Sequence, residues 1–373
     1  MNVELSVTEQ CNLRCSYCYG GESRAACGVA MSDEVMEAAV RLALDRASVI
    51  RDFYLNITFF GGEPLLRMDF IERTVRFAKA QVRADAPKLR KRFRLLFTVK
   101  TNGTLLTDEI LSYLNKEHFS VVLSLDGPGK RHDISRVTAD GKGSFRAIRP
   151  FIPALAKMNA GVESVITPEH VKGLAGAVRW IFRQGFRNVA LVQDFGGKWT
   201  PEDFDALAVE YEKLARFWYR SKKEKKDIRL GLIQDKVTMK LLEVRQRNYG
   251  CFVSLQKVVV AANGNVFPCA RFVSCRGRAP FVVGNVLDAR SGVYRGVWPQ
   301  KIERFVAGNK RACDGCGIRY RCLAHECGCT SFYTTGSLDR VSPEVCAHER
   351  ILCAICDEYA EKLLRETSPE SLL

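Results

Sequence analysis

From residue 3 to about residue 195 the chain alternates six short apolar runs with five helical periods, joined by polar or glycine-rich loops. Strands are expected over 3–7, 55–60, 95–99, 121–125, 162–166 and 189–195. Helices are expected over 32–47, 69–82, 107–115, 144–158 and 169–184, with Ser32 as an N-cap and with Pro150 and Pro153 perturbing the fourth helix. Strand–helix repeats of this length are the mark of parallel βαβ units. The loops Cys11–Cys18, Gly61–Pro64, Thr101–Gly103 and Ser124–Pro128 all follow strand ends. In a parallel barrel those ends form one face, where active sites sit. Four loops far apart in sequence are therefore expected to meet at one mouth.

After about residue 230 the strands shorten and cysteines multiply. The domains expected are a barrel over 1–222, a bridging segment over 223–250, a cysteine-rich domain over 251–356 and a C-terminal helix or tail over 357–373. The lysine run Ser221–Lys226 reads as a solvated linker. No internal repeat or low-complexity segment stands out.

The chain has 15 cysteines among 373 residues. A secreted disulfide protein would be shorter and would begin with a signal peptide. The start MNVELSVTEQ is polar, and no apolar stretch approaches the length of a membrane span. A cytoplasmic protein is expected, in which clustered thiols bind metal. The net charge of +15 favours an anionic partner such as nucleic acid, headgroups or an acidic peptide.

The run CNLRCSYC places Cys11, Cys15 and Cys18 on one short loop after the first strand. A structural zinc site wants four closed ligands. Three thiolates suit a cubane cluster better, since they hold three irons and leave the fourth open to a small molecule. A zinc knuckle completed by Cys27 is the alternative.

With Tyr17, this run resembles the Cys-x3-Cys-x-aromatic-Cys signature of radical S-adenosylmethionine (SAM) enzymes. The resemblance continues through GGEP at Gly61, Gly62, Glu63 and Pro64, TNGTLL from Thr101, SLDGP from Ser124, and RHDISR at Arg131–Arg136. It implies a partial (β/α)6 TIM-like barrel and a SAM-binding [4Fe–4S] cluster. In that chemistry one electron cleaves the sulfonium and leaves a 5′-deoxyadenosyl radical, which abstracts a hydrogen from the substrate. By the same resemblance Tyr17 lies near the adenine, and the Gly61–Pro64 loop with Glu63 meets the methionine amine. Asn102 belongs to the same SAM site, Ser124 and Asp126 contact the ribose, and Arg136 the carboxylate.

The later cysteines resemble the SPASM domain, an auxiliary-cluster extension of radical SAM enzymes that modify peptides. Cys251 is followed by twelve residues, Gly264, four residues and Cys269. Then come Cys313-x2-Cys316-x5-Cys322, Cys327 and Cys346. The resemblance implies one auxiliary [4Fe–4S] cluster on Cys251, Cys269 and Cys327, and a second on Cys313, Cys316, Cys322 and Cys346. Cys275 is the candidate fourth ligand of the first; without it that cluster has an open iron. Four residues, His325 among them, separate Cys322 from Cys327 where the family usually has three, so Cys329 rivals Cys327. Cys353 and Cys356 fall beyond the expected last ligand and stay open as spare thiols, a redox pair or extra ligands. The bland alternative for this half is a pair of zinc ribbons at 313/316 and 353/356.

These resemblances imply an enzyme with three clusters that modifies a ribosomal precursor peptide, fed by a donor such as flavodoxin or ferredoxin. An oxidative crosslink, thioether or carbon–carbon/ether, is the leading expectation, since auxiliary clusters can accept the electron left behind. Epimerisation is an alternative, with Cys27, Cys329 or Cys353 as thiol hydrogen donor. Formylglycine formation on sulfatases is another. In that branch an Asp follows the cysteine aligned with Cys269; here the position is Ala270, and a required base would be missing. The first strand starts near residue 3, so no leader-binding module is expected before the barrel. A separate leader-binding protein, or the basic surface itself, would recognise the leader. No membrane partner is expected. Nor is nucleic acid, since no basic stripe interleaved with aromatics is present.

Overall fold

The computed structural model describes residues 1–20, 28–243, 257–273, 281–288 and 310–366. In chain order, β1 (Asn2–Thr8) leads to α1 (Asp33–Val49), β2 (Tyr54–Gly61) to α2 (Met68–Ala84) and β3 (Arg94–Thr101) to α3 (Asp108–Lys116). Next come β4 (Ser120–Ser124), β5 (Gly161–Ile166), α4 (Leu174–Arg183), β6 (Asn188–Gln193), α5 (Pro201–Lys223), β7 (Arg229–Leu230) and α6 (Gly231–Leu242). Strands β8 (Lys257–Val260), β9 (Asn265–Phe267) and β10 (Gly284–Asn285) precede α7 (Pro343–Glu366). The segment expected to bridge two domains thus carries β7 and α6. No helix among the described residues is long and apolar enough to cross a membrane.

The chain divides into two compact units. The first gathers the described residues of Met1–Ser124, Ser135–Ala160 and Val253–Phe305. Its strands β1, β2, β3 and β4 run parallel, and β8 joins the free edge of β1 in parallel through Asn2↔Lys257 to Leu5↔Val260. The β1–β2 register pairs Val3 with Ile57 and Leu5 with Phe59, all of them buried. Phe97 and Phe119 continue this apolar layer, their rings stacked 5.3 Å apart. Burial of each such ring stabilises by about 1.5–3 kcal/mol. The other face is polar. Thr98 Oγ1 donates to Asn56 Oδ1 at 3.1 Å, and Lys257 Nζ stands 2.9 Å from Glu4 Oε1. Burial pushes the Glu4 carboxyl up, but Lys257 and Lys100 together hold it below the usual range. A two-sided sheet of this kind reads as alternation, and that is why its strands are visible in the sequence.

Ser32 caps α1 by accepting from Val35 N, as expected, and Thr107 caps α3 in the same way. The helix expected over 144–158 is broken into Phe145–Ile148, a 3-10 turn and Ile152–Lys157, with Pro150 and Pro153 at the joints.

The second unit holds the described residues of Leu125–Ile134, Gly161–Phe252 and Val306–Leu373. In it β5, β6 and β7 are parallel, and α5, α6 and α7 pack on one another. Here the sequence expectation fails at one helix start. Residues 168–170 form a 3-10 turn, and α4 begins only after Gly173, whose φ of +77° belongs to the left-handed region. The carboxylate of Glu210 then accepts from Ala175 N at 2.7 Å and caps the helix from a distance.

Candidate active site

The site builds from the end of β1. Residues 11–18 leave the strand as an irregular loop, with Cys11 and Cys15 half-buried and Cys18 exposed. Backbone bonds pin the loop to residues 135–138: Arg14 N donates to Val137 O at 2.7 Å and Ser16 N to Ser135 O at 3.0 Å. That pinning brings Arg136 to Tyr17, with the guanidinium 5.2 Å from the ring centroid. Two donors aim at Cys11 Sγ: Leu13 N at 3.4 Å and Asn102 Nδ2 at 4.0 Å.

The β2 loop approaches the same place through its glycines. Gly61 has φ +135°, and a Cβ on Gly62 would stand 1.9 Å from the backbone oxygen of Gln10. Only glycine permits that approach. Gly62 N donates to Thr8 O and Glu63 N to Gln10 O, which locks the β1 and β2 loops together.

Glu63 is 1% exposed, and its carboxylate turns toward the β3 loop. Oε1 accepts from Thr101 Oγ1 at 2.7 Å and from Leu65 N at 3.0 Å. Oε2 accepts from Asn102 N at 2.8 Å. Burial pushes this carboxyl up to about 7, although all three donors pull it the other way. Glu63 therefore ties the β2 and β3 loops and starts the turn at Pro64. Asn102 extends the network: its Nδ2 donates to Asn12 Oδ1 at 2.9 Å, and Asn12 Nδ2 donates to Thr104 Oγ1 at 2.7 Å. Asn12 and Thr104 lie inside the CNLRCSYC and TNGTLL runs, but nothing in either run marks them as partners, because the bond between them spans 92 residues.

Ser124 ends β4 and is half-buried. Asp126 belongs to the second unit and is 1% exposed. Its Oδ1 accepts from Val165 N at 2.9 Å, and its N–H donates to His132 Nδ1 at 3.3 Å. Arg131, inside the RHDISR run, braces the turn by donating to the carbonyls of Asp126, Lys172 and His170.

The later thiols fall in two places. Cys269 follows β9 in the first unit, and Ala270 opens the 3-10 turn after it. Strand β9 is antiparallel to β8, so Cys269 lies toward the N-terminal end of β1, opposite to the Cys11 loop. Six residue steps of strand separate the ends of β1, about 20 Å.

In the second unit, Cys316 N donates to Cys313 O at 3.1 Å across Gly315, which has φ +79°. Cys316 and Cys346 both act electrostatically on Cys313, whose thiol burial pushes up. Cys322 is buried and N-caps the turn Leu323–Glu326. Cys327 N-caps Gly328–Thr335, and its Sγ accepts from Thr330 N at 3.4 Å and Thr330 Oγ1 at 3.2 Å. Cys329 is buried. Cys353 and Cys356 are buried in α7, with Cys356 Sγ 3.8 Å from Ile233 O. Cys27, Cys251 and Cys275 lie outside the described residues.

None of the described cysteines is in a disulfide. Among the described residues no three His, Cys, Asp or Glu side chains close on a single-ion position. Thiolates on different irons of a cubane stand farther apart than the ligands of one ion. Three thiols on one loop, none in a disulfide and with N–H donors on the Cys11 sulfur, fit such a cluster.

A parallel βα series with this loop at a strand end defines a radical SAM domain. Residues 5–173 of this enzyme match the sequence profile of the Radical SAM superfamily, and that stretch is a radical SAM domain. The superfamily implies SAM and a [4Fe–4S] cluster. The chain is similar to the cysteine-type anaerobic sulfatase-maturating enzyme of Clostridium perfringens strain 13, at 23% identity over 299 residues, which span 74% of this chain and 75% of that one. Among solved structures, anSMEcpe with bound AdoMet matches with a TM-score of 0.78 at 18% identity, covering 99% of this chain and 96% of that one. Streptococcus suis SuiB bound to precursor peptide SuiA matches with a TM-score of 0.60 at 15% identity, covering 92% of this chain and 75% of that one. Likeness to these structures is a likeness of fold.

Proposed function

We propose that this enzyme is a peptide maturase that installs an oxidative crosslink on side chains of a ribosomal precursor peptide. The observation that carries this reading is the second set of free thiols, around Cys313, Cys316 and Cys346, in a chain that already has the Cys11 loop. When bound, the cluster and SAM supply a 5′-deoxyadenosyl radical that abstracts a substrate hydrogen. Cys11, Cys15 and Cys18 hold the SAM-binding cluster. Tyr17 and Arg136 form one wall of the SAM site, and the Gly61–Gly62 backbone another. Glu63 and Asn102 hold the loops at their spacing, and Ser124 faces the ribose. Cys313, Cys316, Cys322 and Cys346 hold an auxiliary cluster. Cys269 and Cys327 belong to the other, with Cys251 and Cys275 as partners and Cys329 as the rival of Cys327. SuiB, a structure bound to a precursor peptide, shares the fold, which supports a peptide substrate. The charge of +15 favours an acidic leader or an acidic flavodoxin-type donor.

Formylglycine formation is the second reading. The Clostridium relative favours it, and Ala270 in place of a carboxylate opposes it. One experiment separates them. The reconstituted enzyme, SAM and reductant are incubated anaerobically with precursor peptides encoded nearby and with a Cys-x-Pro-x-Arg peptide. Loss of two hydrogens from a precursor, with 5′-deoxyadenosine formed, supports the crosslink. An aldehyde on the Cys-x-Pro-x-Arg peptide alone replaces it with the second reading.

A further inference from the structure

Two lysines of the second unit lie in the protein interior: Lys310 is 3% exposed and Lys236 is 4% exposed. Their surroundings differ. Lys236 Nζ stands 2.6 Å from Glu349 Oε2 and also donates to the carbonyl of Arg321. The same Oε2 accepts from Leu323 N at 2.6 Å. Its charge is matched by a carboxylate, and the pair fixes the peptide groups on both sides of Cys322.

Lys310 has no such match. Its Nζ donates to the carbonyl of His325. Among the described residues no carboxylate lies within salt-bridge distance of it. Burial acts on it most and pushes its ammonium down, while Cys327, Cys313, Cys322 and Glu326, in that order, pull it back up. Glu326 is already engaged by His325 at 3.0 Å. Its own carbonyl accepts from Cys313 N at 2.9 Å, so it is anchored to the thiol loop. A buried ammonium without an opposite charge is costly. Neutral thiols supply no charge, whereas cluster thiolates do.

We propose that Lys310 is an internal countercharge to the auxiliary-cluster thiolates around it, Cys313 and Cys322 of one cluster and Cys327 of the other, and that it raises the reduction potential of the auxiliary clusters those thiolates hold. This rests on the reading of those cysteines as cluster ligands. Reduction adds one electron from an external reductant, with no bond made or broken, and leaves the cluster one unit more negative. An ammonium beside it stabilises the reduced form, since net charge and local hydrogen bonds set such potentials.

The test uses the full chain carrying Cys11→Ser, Cys15→Ser and Cys18→Ser, so that only auxiliary clusters report. Iron is counted, and a dithionite titration is followed by EPR. Lys310→Met is expected to make reduction about tenfold less favourable, a shift of about 59 mV to lower potential for one electron. Lys310→Arg is expected to restore the wild-type value. If Lys310→Met loses iron, Lys310→Gln, which keeps a donor to His325 O without the charge, reads the same shift. Full iron with an unchanged potential in Lys310→Met or Lys310→Gln overturns this proposal alone. Absence of iron from the starting protein overturns the cluster reading and this proposal with it.

Discussion

Arg136 holds its guanidinium 5.2 Å from the ring centroid of Tyr17, and backbone bonds from Arg14 and Ser16 to the carbonyls of Val137 and Ser135 join the segments bearing the two residues. The ring presents one edge of the cysteine loop, and the cation presents a planar fork. Such an arrangement suits an aromatic base beside a carboxylate.

Arg136→Lys keeps the charge and loses the fork. SAM affinity of the reconstituted protein, measured by calorimetry, is expected to fall about tenfold, or about 1.4 kcal/mol. The circular dichroism spectrum is expected to stay the same. Unchanged affinity would remove Arg136 from the SAM site.

Gly62→Ala places a methyl group against the backbone of Gln10. Strain of about 1–3 kcal/mol should appear as a lower melting temperature of the apoprotein. Because the displaced backbone leads into Cys11, iron bound by that loop should fall while iron bound elsewhere is retained. A full complement at normal stability would show that the β1 and β2 loops are not packed this tightly.

Glu63 gives a pH dependence with a definite sign. Its folded carboxyl is raised by burial to about 7, so the folded state binds the proton more tightly than the unfolded chain does. The stability it contributes is fully present below the unfolded value near 4.5 and is lost as pH rises through about 7. The size is on the order of 3 kcal/mol. Denaturation midpoints of the apoprotein should fall over this window in the wild type and stay flatter in Glu63→Gln. Equal slopes would mean that Glu63 is ionised throughout.

Lys236→Met leaves the Glu349 carboxylate in the interior without its ammonium, with only Leu323 N and the His348 ring beside it. The apoprotein is expected to lose about 3–5 kcal/mol in urea denaturation. Adding Glu349→Leu should recover much of that loss, because the unmatched charge is then gone. A double variant as weak as the single one would assign the effect to packing.

Metal content tests the reading of both thiol sets. Anaerobic reconstitution of the wild type should give about twelve irons with equal acid-labile sulfide, and Cys11→Ser with Cys15→Ser and Cys18→Ser should remove about four. Two zincs in place of the auxiliary irons would turn the C-terminal half into zinc ribbons.

Features with short-range causes were legible in the sequence. The alternation of Val3, Leu5 and Val7, the Ser32 cap and the two proline breaks each depend on neighbours within a few residues. The start of α4 was not, because Glu210 caps it from thirty-five residues away. The same limit applies to the site. The Cys11 loop and the glycines of the β2 loop announce themselves by type and spacing. Where the Glu63 carboxylate points depends on donors about forty residues on, and Asn12 gains meaning only beside Asn102. Lys236 and Lys310 look like two lysines among many until the fold removes them from water.

The pairing of β8 with β1 has a consequence for synthesis of the chain. The partner of the first strand is encoded about 250 residues after it. At 5–20 residues per second, the ribosome takes on the order of ten to fifty seconds to deliver that partner. Throughout that interval the outer edge of β1 lacks its native neighbour, and open strand edges recruit other chains. Production of this protein should therefore be more sensitive to translation speed and chaperone supply than the purified, finished molecule would suggest.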